Sequence, residues 1–354
     1  MMRVLITGGL GLVGSNYARH CLEQGHQVVV LDGYTRGRSC IHNEEWLRRY
    51  GSPEFLRIVR GNVALPEVVS YALKQFDGID RVVHAAAQSS VNVSMENPEV
   101  DFSSNVIGTF TLLDELRHVA PKAKVLYLAS NKVYDVTGWP VELDGSRYRW
   151  VGNRQGPSEQ FPFYTDAKEP YGASKIAGLY YSRCYAAMYG MPIVIVVPSG
   201  MYGPRQFGQA TQGWLGWFTI AVALGLPITI CGDGFQVRDM LHVEDVCIAF
   251  DRLFEVADVY KGELFNLGGG TRNAVSLIEA LELISDELEV KPKIMYTDWR
   301  PQDNKVYVSN IERLLGFQWY PRVSIQSGIK EMCTWVQFEE KMLRGLYVGK
   351  NGKG

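Results

Sequence analysis

A glycine-rich loop stands between the first strand-like run of the chain and its first amphipathic segment. The strand-like run covers 3–7, the loop reads Thr7-Gly-Gly-Leu-Gly-Leu-Val-Gly14, and the amphipathic segment covers 12–23. Glycines at this spacing allow a tight turn and close backbone approach, so that a pyrophosphate can lie at the helix N-terminus. A glycine-rich turn alone is weak evidence, but its position between a strand and a helix indicates a dinucleotide-binding βαβ unit.

Strand and helix patterns alternate through the first 200 residues. Apolar strand-like runs lie at 3–7, 27–31, 54–59, 80–84, 124–129 and 192–198. This alternation predicts a doubly wound parallel sheet of the Rossmann type, in which ligands bind at the carboxyl edge. His84-Ala-Ala-Ala-Gln88 falls at that edge, where its small residues either admit a cofactor or allow close helix packing.

After Val197 the alternation breaks down, and we expect a smaller, discontinuous α/β substrate domain. The segments expected there are helices at 213–224, 243–258, 274–288 and 322–346, a strand at 228–231, and a strand at 263–267 that rejoins the main sheet. We assign 1–198 and 237–269 to the dinucleotide-binding Rossmann domain, and 199–236 and 270–354 to the substrate-binding domain. The last residues, 349–354, are expected to fray.

A second strand-like run, 26–31, ends at Asp32. A carboxylate at that point can bond both hydroxyls of an adenosine ribose and repels a 2′-phosphate, which favours NAD over NADP. Arg36 and Arg38 follow closely and could neutralise an extra phosphate, so NADP remains the alternative.

Tyr171 and Lys175 are four residues apart, a spacing that places both side chains on one face of a helix. A nearby ammonium favours the phenolate and is expected to lower the pKa of the tyrosine, which then accepts a proton from an alcohol. Ser130 would donate a hydrogen bond to the same substrate oxygen, and Lys175 would also hold the nicotinamide ribose. These three residues are the predicted catalytic group.

Composition limits the partners of this chain. A net charge of -2 provides no field for nucleic acid or an anionic membrane, so the expected partner is a small anion. The six cysteines have no CxxC spacing and indicate a reducing cytoplasm without a metal site. The N-terminus has no leader pattern, and no run approaches the roughly 18 apolar residues of a membrane span.

An insertion, 137–170, separates Ser130 from Tyr171. It is polar and aromatic, contains four prolines and shows no sustained period. We expect a long functional loop that forms a lid or substrate wall, with a passive surface excursion as the alternative. Trp214 and Trp217 could form a second wall against a nucleotide base, although helical aromatics more often belong to a core.

Several motifs together resemble the extended short-chain dehydrogenase/reductase family, and within it the sugar-nucleotide epimerases and dehydratases. They are the loop 7–14, Asp32, Asn105-Val-Ile-Gly-Thr109, Tyr171-x-x-x-Lys175, Tyr202-Gly-Pro-Arg205, Arg238-Asp239 and Arg300-Pro-Gln-Asp303. The resemblance covers nearly the whole chain. It implies a homodimer or homotetramer assembled through the apolar helices 100–117 and 172–189.

The residues and the resemblance together give the expected site. Its cofactor-binding positions are Gly8, Gly11, Leu12, Val13, Gly14, Asp32, Asn62, Val63, Ala85, Ala86, Ala87, Asn105, Tyr171 and Lys175. Its substrate-binding positions are Gln88, Asn131, Lys132, Arg205, Gln206, Arg238 and Arg300. In the family, the three arginines contact the nucleotide or its diphosphate. The alternative is that they are solvated surface arginines without a ligand, which applies most to Arg205 and least to Arg238.

Departures from the family pattern narrow the expected reaction. Family 4,6-dehydratases carry an Asp-Glu pair after the catalytic hydroxyl, whereas Asn131 and Lys132 follow Ser130 here, which disfavours elimination of water. Asn62 replaces the usual aspartate that bonds the adenine amine, and Val197 replaces a commonly basic residue. The runs 131–134, 199–203 and 212–217 and the long insertion before Tyr171 resemble the 2-epimerases of this family that act on CDP-sugars. This resemblance implies an NAD-dependent epimerase that inverts C2 of a CDP-hexose or CDP-deoxyhexose. The alternatives are a UDP-hexose 4-epimerase and a non-catalytic module that senses cofactor or nucleotide.

Overall fold

The computed structural model describes residues 1–152, 154–163, 169–300 and 303–349. Its strands are β1 (Arg3–Thr7), β2 (Gln27–Asp32), β3 (Leu56–Arg60), β4 (Arg81–His84), β5 (Lys124–Leu128), β6 (Val141–Asp144), β7 (Arg147–Trp150), β8 (Ile193–Pro198), β9 (Gly200–Tyr202), β10 (Pro227–Cys231), β11 (Val237–His242), β12 (Leu264–Leu267), β13 (Ala274–Ser276), β14 (Lys293–Thr297) and β15 (Val306–Tyr307).

The helices of the described residues are α1 (Leu12–Glu23), α2 (Arg38–Leu47), α3 (Pro66–Leu73), α4 (Val91–Glu96), α5 (Pro98–Asp101), α6 (Gly108–Val119), α7 (Pro170–Tyr189), α8 (Trp214–Leu224), α9 (Val243–Val256), α10 (Leu277–Leu288), α11 (Glu312–Leu315), α12 (Ile325–Phe338) and α13 (Glu340–Tyr347). A π-helix, Phe102–Ile107, joins α5 to α6, and 3₁₀ turns lie at Asn131–Val133 and Thr271–Asn273. No described helix is long and apolar enough to cross a membrane.

The central sheet has seven parallel strands in the order β12-β8-β5-β4-β1-β2-β3. Its strands are apolar on both faces: Val4 and Ile6 pack with α1 and α9, while Leu5 packs on the opposite side with α3 and α6. Sheets covered by helices on both faces require such continuous apolar runs. The predicted Rossmann-type fold is confirmed, as is the return of the strand near 263–267 to the main sheet.

The second half forms smaller sheets. β11 pairs with β9, β13 and β15, and β10 pairs with β14. The expected helix at 274–288 begins only at Leu277, because 274–276 pairs with β11 as β13. The expected C-terminal helix is divided at Glu339 into α12 and α13. Residues 350–354 of the segment expected to fray lie outside the described residues.

The expected boundaries of the two domains remain our proposal. α9 packs against α1 and β5 of the first half, as that division requires. β11, which the division places in the first domain, instead pairs with β9, β13 and β15, which all lie in the segments assigned to the second domain.

The insertion before Tyr171 contains a folded hairpin, so the prediction of a long loop throughout is wrong. β6 and β7 pair in antiparallel fashion around Gly145 and Ser146. The Tyr148 N–H donates to the Phe235 carbonyl at 2.9 Å, and Arg147 pairs with Glu279 at 2.7 Å. The hairpin is therefore fixed to the second half of the chain. Residues 153 and 164–168 of the insertion lie outside the described residues.

Trp150 tests whether this hairpin is an integral part of the fold. Its side chain is 5% exposed, and its ring lies edge-on to Trp139 with 4.8 Å between centroids. We expect Trp150→Ala to lower the free energy of unfolding by about 3–5 kcal/mol, measured by urea denaturation. Leu143→Ala is the matched control, because Leu143 is 54% exposed in the same hairpin. Equal stability of the two variants would contradict the packed hairpin.

Candidate functional site

The glycine loop brings two backbones into close approach at the carboxyl edge of the sheet. Gly8 has a φ of +66°, and a Cβ there would lie 2.7 Å from the backbone of Ala86, just beyond β4. The N-cap residue of α1 is Gly11, which has no side chain that could accept a hydrogen bond from the first N–H groups of the helix. The loop thus forms a cradle without side chains, directed at a helix N-terminus, which fits a dinucleotide pyrophosphate.

Asp32 ends β2 beside this loop and is buried. Its Oδ2 accepts the Leu10 N–H at 2.9 Å, and its Oδ1 accepts the Tyr34 N–H at 2.8 Å. Burial raises the pKa of the carboxyl, while these backbone hydrogen bonds oppose the shift. Of the two arginines that could favour NADP, Arg36 donates to the Phe207 carbonyl at 3.3 Å and Arg38 is exposed.

Other expected cofactor positions differ in their surroundings. Ala85, Ala86 and Ala87 follow β4 and are partly exposed at the cradle, whereas Val63 is buried. Asn62 is exposed, and its Oδ1 accepts the Ala64 N–H at 2.9 Å.

Asn105 is engaged inside the protein. From the π-helix, its amide donates to the Gln88 carbonyl at 3.0 Å and to Ser174 Oγ at 2.9 Å, and its Oδ1 accepts the Gln88 N–H at 2.9 Å. Asn105 therefore links the segment after β4 to α7, the helix that carries Tyr171 and Lys175.

Ser130, Tyr171 and Lys175 are brought together where β5 meets α7. Ser130 follows β5, and its Oγ accepts the Lys132 N–H at 3.2 Å. Tyr171 and Lys175 lie in the first two turns of α7 and are buried. The Lys175 ammonium lies 4.9 Å from the centre of the Tyr127 ring, and the Tyr127 hydroxyl donates to the Lys175 carbonyl at 3.1 Å.

Burial decides the protonation of this group. It raises the pKa of Tyr171 to about 12, against a hydrogen bond with Ser130 that lowers it. Burial also lowers the pKa of Lys175 to about 7, although the negative charge of Asp101 acts to raise it. The expectation of a lowered pKa for Tyr171 is wrong for the chain alone, because desolvation of the phenolate and the charges of Glu169 and Asp101 all raise it.

Two acidic residues of this site were missed in the sequence. Asp101 is buried and accepts a hydrogen bond from Gln88 Nε2 at 2.6 Å. Glu169 precedes α7 beside Lys132, and both carboxylates raise the pKa of Tyr171. Glu169 could have been found from its place two residues before the tyrosine. Asp101 could not, because the π-helix that follows it breaks the ordinary helical register.

Of the expected substrate-binding residues, Lys132 and Arg238 are close enough to interact. Burial and the charge of Arg238 lower the pKa of Lys132, while Asp303 and Glu169 raise it. Arg238 donates to Asp303 Oδ1 at 2.6 Å. Asn131 Oδ1 accepts from the Ser130 hydroxyl at 3.3 Å.

Gln88, Gln206 and Arg300 have separate surroundings. The side-chain amide of Gln88 is occupied by Asp101 and by the Ser90 carbonyl. Gln206 is buried and donates to the Met201 carbonyl at 3.0 Å. Arg300 is exposed and donates to the Ala210 carbonyl at 3.3 Å, and its motif neighbours Pro301 and Gln302 lie outside the described residues.

Arg205 and the two tryptophans of α8 contact protein. Arg205 lies in the interior, hydrogen-bonded to α2 and to Glu339. Trp214 and Trp217 are partly buried against the second-half core, where Trp217 contacts Tyr347 and Trp214 contacts Phe218. Core packing is thus the role that these contacts support for the tryptophans.

The buried ammonium of Lys175 gives a stability prediction with a defined sign. The pKa of Lys175 falls from 10.5 in the unfolded chain to about 7 in the folded protein. Between pH 7 and pH 10.5 the unfolded chain therefore binds more protons than the folded protein. As a result, the contribution of Lys175 to the free energy of unfolding rises with pH over this range. We expect Lys175→Met to stabilise the ligand-free protein by on the order of 2–4 kcal/mol near pH 7, and by less as pH approaches 10.

Urea denaturation of parent and variant at pH 7 and 9.5 measures this difference. Lys122→Met is the control, because Lys122 is exposed and its replacement should leave stability nearly unchanged. A Lys175→Met difference that stays constant with pH would contradict the buried charge.

Comparison with known proteins extends these observations. A model of the NAD dependent epimerase/dehydratase family matches residues 4–268. CDP-paratose 2-epimerase of Salmonella typhi is 34% identical over 342 residues, covering 94% of this chain and 99% of that protein. A putative UDP-glucose 4-epimerase of Methanocaldococcus jannaschii is 28% identical over 336 residues, covering 94% and 98%.

A solved structure has the same fold over nearly its full length. The Thermus thermophilus UDP-glucose 4-epimerase, in complex with NAD, superposes with a TM-score of 0.77 and 28% identity, over 95% of this chain and 99% of that one. The family resemblance inferred from the motifs is confirmed. Because the family model covers most of the chain and a relative above 30% identity covers almost all of it, the chain belongs to the NAD-dependent epimerase/dehydratase family.

Proposed function

We propose that this enzyme is a redox-neutral sugar-nucleotide epimerase that inverts C2 of a CDP-hexose or CDP-deoxyhexose through a transient keto intermediate. One observation carries the reaction type: Ser130 and Tyr171 meet at the carboxyl edge, on the side of the sheet where the Gly8 cradle and Asp32 fit NAD. The likeness to CDP-paratose 2-epimerase, also called CDP-tyvelose 2-epimerase, supports the choice of CDP-sugar and carbon.

Tyr171 transfers the proton in this proposal, and Ser130 and Lys175 orient the substrate and stabilise the phenolate. Tyr171 Oη accepts the proton of the sugar hydroxyl and returns it, and Ser130 Oγ donates a hydrogen bond to the same oxygen. Lys175 in its protonated form favours the phenolate, and Asp101 favours that protonated form. When bound, NAD supplies reversible storage of a hydride, so inversion consumes no cofactor.

The raised pKa of Tyr171 sets a condition on this mechanism. A phenol with a pKa of about 12 is a weak donor of its proton to bulk water, so the phenolate must be stabilised by cations held in the same dry site. Lys175 is the cation that α7 places one turn away. The charge of a nicotinamide ring would add to it, which couples proton transfer to cofactor binding.

Lys132 and Arg238 supply the anion-binding side of the proposed site. Both are cationic, and they interact although each also has an acidic neighbour. A diphosphate would compensate the mutual repulsion of these two cations, and guanidinium geometry suits its oxygens. Asn131 and Lys132 also stand where dehydratases carry acids, which supports epimerisation over elimination of water.

A second candidate is a UDP-hexose 4-epimerase. It is favoured by the Methanocaldococcus jannaschii and Thermus thermophilus relatives, whose names specify that activity. The two candidates differ in the nucleotide and in the carbon presented to the cofactor. A non-catalytic sensing module is disfavoured by the presence of Ser130, Tyr171 and Lys175 together.

We also propose a homodimer or homotetramer in the cytoplasm. The outer faces of the π-helix, α6 and α7 expose apolar side chains, including Ile107, Phe110, Tyr180 and Tyr181. Phe110 and Tyr181 lie edge-to-face with 5.8 Å between their ring centres, which makes a continuous apolar surface across two helices. All six cysteines are free thiols, as expected in a reducing compartment.

Tyr171→Phe is expected to reduce kcat by about 10⁴ while dissociation constants for NAD and substrate stay within about threefold, because only the proton acceptor is lost. Ser130→Ala should cost less, about 10² to 10³, as the loss of one hydrogen-bond donor. Tyr189→Phe, at the exposed end of the same helix, is the control and should retain parental activity. Tyr171→Phe activity within tenfold of the parent would remove Tyr171 from its proposed role.

A panel of CDP-, UDP- and GDP-sugars, read by NMR for inversion at C2 or C4, tests the proposed substrate. The enzyme should act on a CDP-sugar at C2 without added cofactor and without accumulating NADH absorbance. Deuterium on the inverted carbon should remain there in ordinary water. Inversion of a UDP-hexose at C4 would establish the second candidate, and stoichiometric NADH release would indicate a dehydrogenase. Loss of deuterium to solvent would contradict hydride transfer.

A further inference from the structure

Arg205 is a buried junction between three parts of the chain. Its side chain is 5% exposed, and each of its three nitrogens donates to protein. Nε donates to Asn43 Oδ1 at 3.0 Å, Nη2 to the His42 carbonyl at 2.7 Å, and Nη1 to Glu339 Oε1 at 3.1 Å. The rings of Trp46 and Phe207 lie within 5.3 Å and 5.2 Å of the guanidinium carbon. The guanidinium is thus committed to protein contacts.

The backbone at Arg205 indicates that this position is under constraint. Its φ is +70°, a left-handed conformation that costs energy for a residue with a Cβ. A strained residue persists where surrounding contacts determine its position, as the hydrogen bonds of the guanidinium do here.

The contacts of Arg205 continue to the dinucleotide loop. Because an arginine only donates, Asn43 must present its oxygen to Arg205 and its amide to the other side. That amide donates to the Leu10 carbonyl at 2.8 Å, and the Leu10 N–H donates to Asp32 Oδ2 at 2.9 Å. The Leu10 peptides are therefore held from both sides, by Asn43 on the carbonyl and by Asp32 on the amide.

A second contact joins the same two loops. Asn16, in α1, donates from its amide to the Pro204 carbonyl at 3.1 Å and to the Leu12 carbonyl at 2.9 Å. At the other end of the network, Glu339 lies between α12 and α13 in the second half of the chain. The loop 203–205 is thus connected to the dinucleotide loop through Asn43 and through Asn16, and to the C-terminal helices through Glu339.

We propose that Arg205 is a positioning residue for the cofactor, in place of the substrate contact that the family resemblance implies. Through Asn43 and Leu10 it holds the Asp32 carboxylate in the orientation that binds the adenosine ribose, and through Glu339 it makes NAD affinity depend on the docking of α12 and α13. This inference rests on the proposed role of Asp32.

The test measures dissociation constants of the full-length, cofactor-free protein by titration calorimetry. The ligands are NAD, ADP-ribose, and CDP or UDP, whichever the parent binds. We expect Arg205→Met to weaken NAD and ADP-ribose about 10- to 100-fold and to leave the pyrimidine nucleotide within about twofold. Loss of pyrimidine nucleotide binding with NAD affinity unchanged would overturn the proposal in favour of a substrate contact.

Asn43→Asp separates positioning from overall stability. It keeps an acceptor for Arg205 but removes the donor to the Leu10 carbonyl, so NAD binding should weaken as in Arg205→Met while the urea midpoint stays near that of the parent. The control is Arg3→Met, which removes the two-point contact of Arg3 with Asp80 at the amino ends of β1 and β4. Its NAD affinity should be parental.

Parental NAD affinity in Asn43→Asp would overturn the proposal even if Arg205→Met failed to fold. Equal loss of NAD affinity in Arg3→Met would overturn it too, since the effect would then be general destabilisation. If the parent bound no NAD, the failure would belong to the cofactor assignment and not to Arg205.

Discussion

The close approach of Gly8 to Ala86 is the constraint on which the site depends. This contact lies between β1 and β4, where the strand order reverses. At this point the helices that follow the two strands pack on opposite faces of the sheet. A crevice opens at such a switch point without any special side chain. Asp32 from β2 and Ser130 after β5 reach it from the two flanking strands, so a single backbone contact fixes the relative placement of both ends of an extended cofactor.

Much of the fold could be predicted from sequence because the central strands are buried on both faces. Runs such as Ile193–Val197 have no polar interruption, and the Tyr171 to Lys175 spacing places both residues on one helical face in any context. The hairpin at 141–150 was missed because each of its strands is only 4 residues long. The available signal was the alternation of polar and apolar residues on both sides of the Gly145-Ser146 turn, which is typical of half-exposed strands.

Other properties of the site depend on contacts distant in sequence. Arg205 meets Asn43 and Glu339 across 162 and 134 residues, distances over which no local pattern operates. The pKa of Tyr171 follows from burial, which the Tyr-Lys spacing does not encode. Lys175, Asp101 and Glu169 are ionisable groups removed from water, an arrangement that costs stability and is typical of sites shaped for chemistry.

The position of β12 at the edge of the main sheet bears on how the chain is made. β8 is a fully buried apolar strand, and it pairs with β12, which ends only at Leu267. During synthesis, β8 therefore emerges well before the strand that covers its outer edge. An unpaired apolar edge of this kind is a template for pairing with other chains. The newly made first half thus exposes a strand edge that is prone to pair with other chains, and a truncation before residue 264 would leave that edge permanently open.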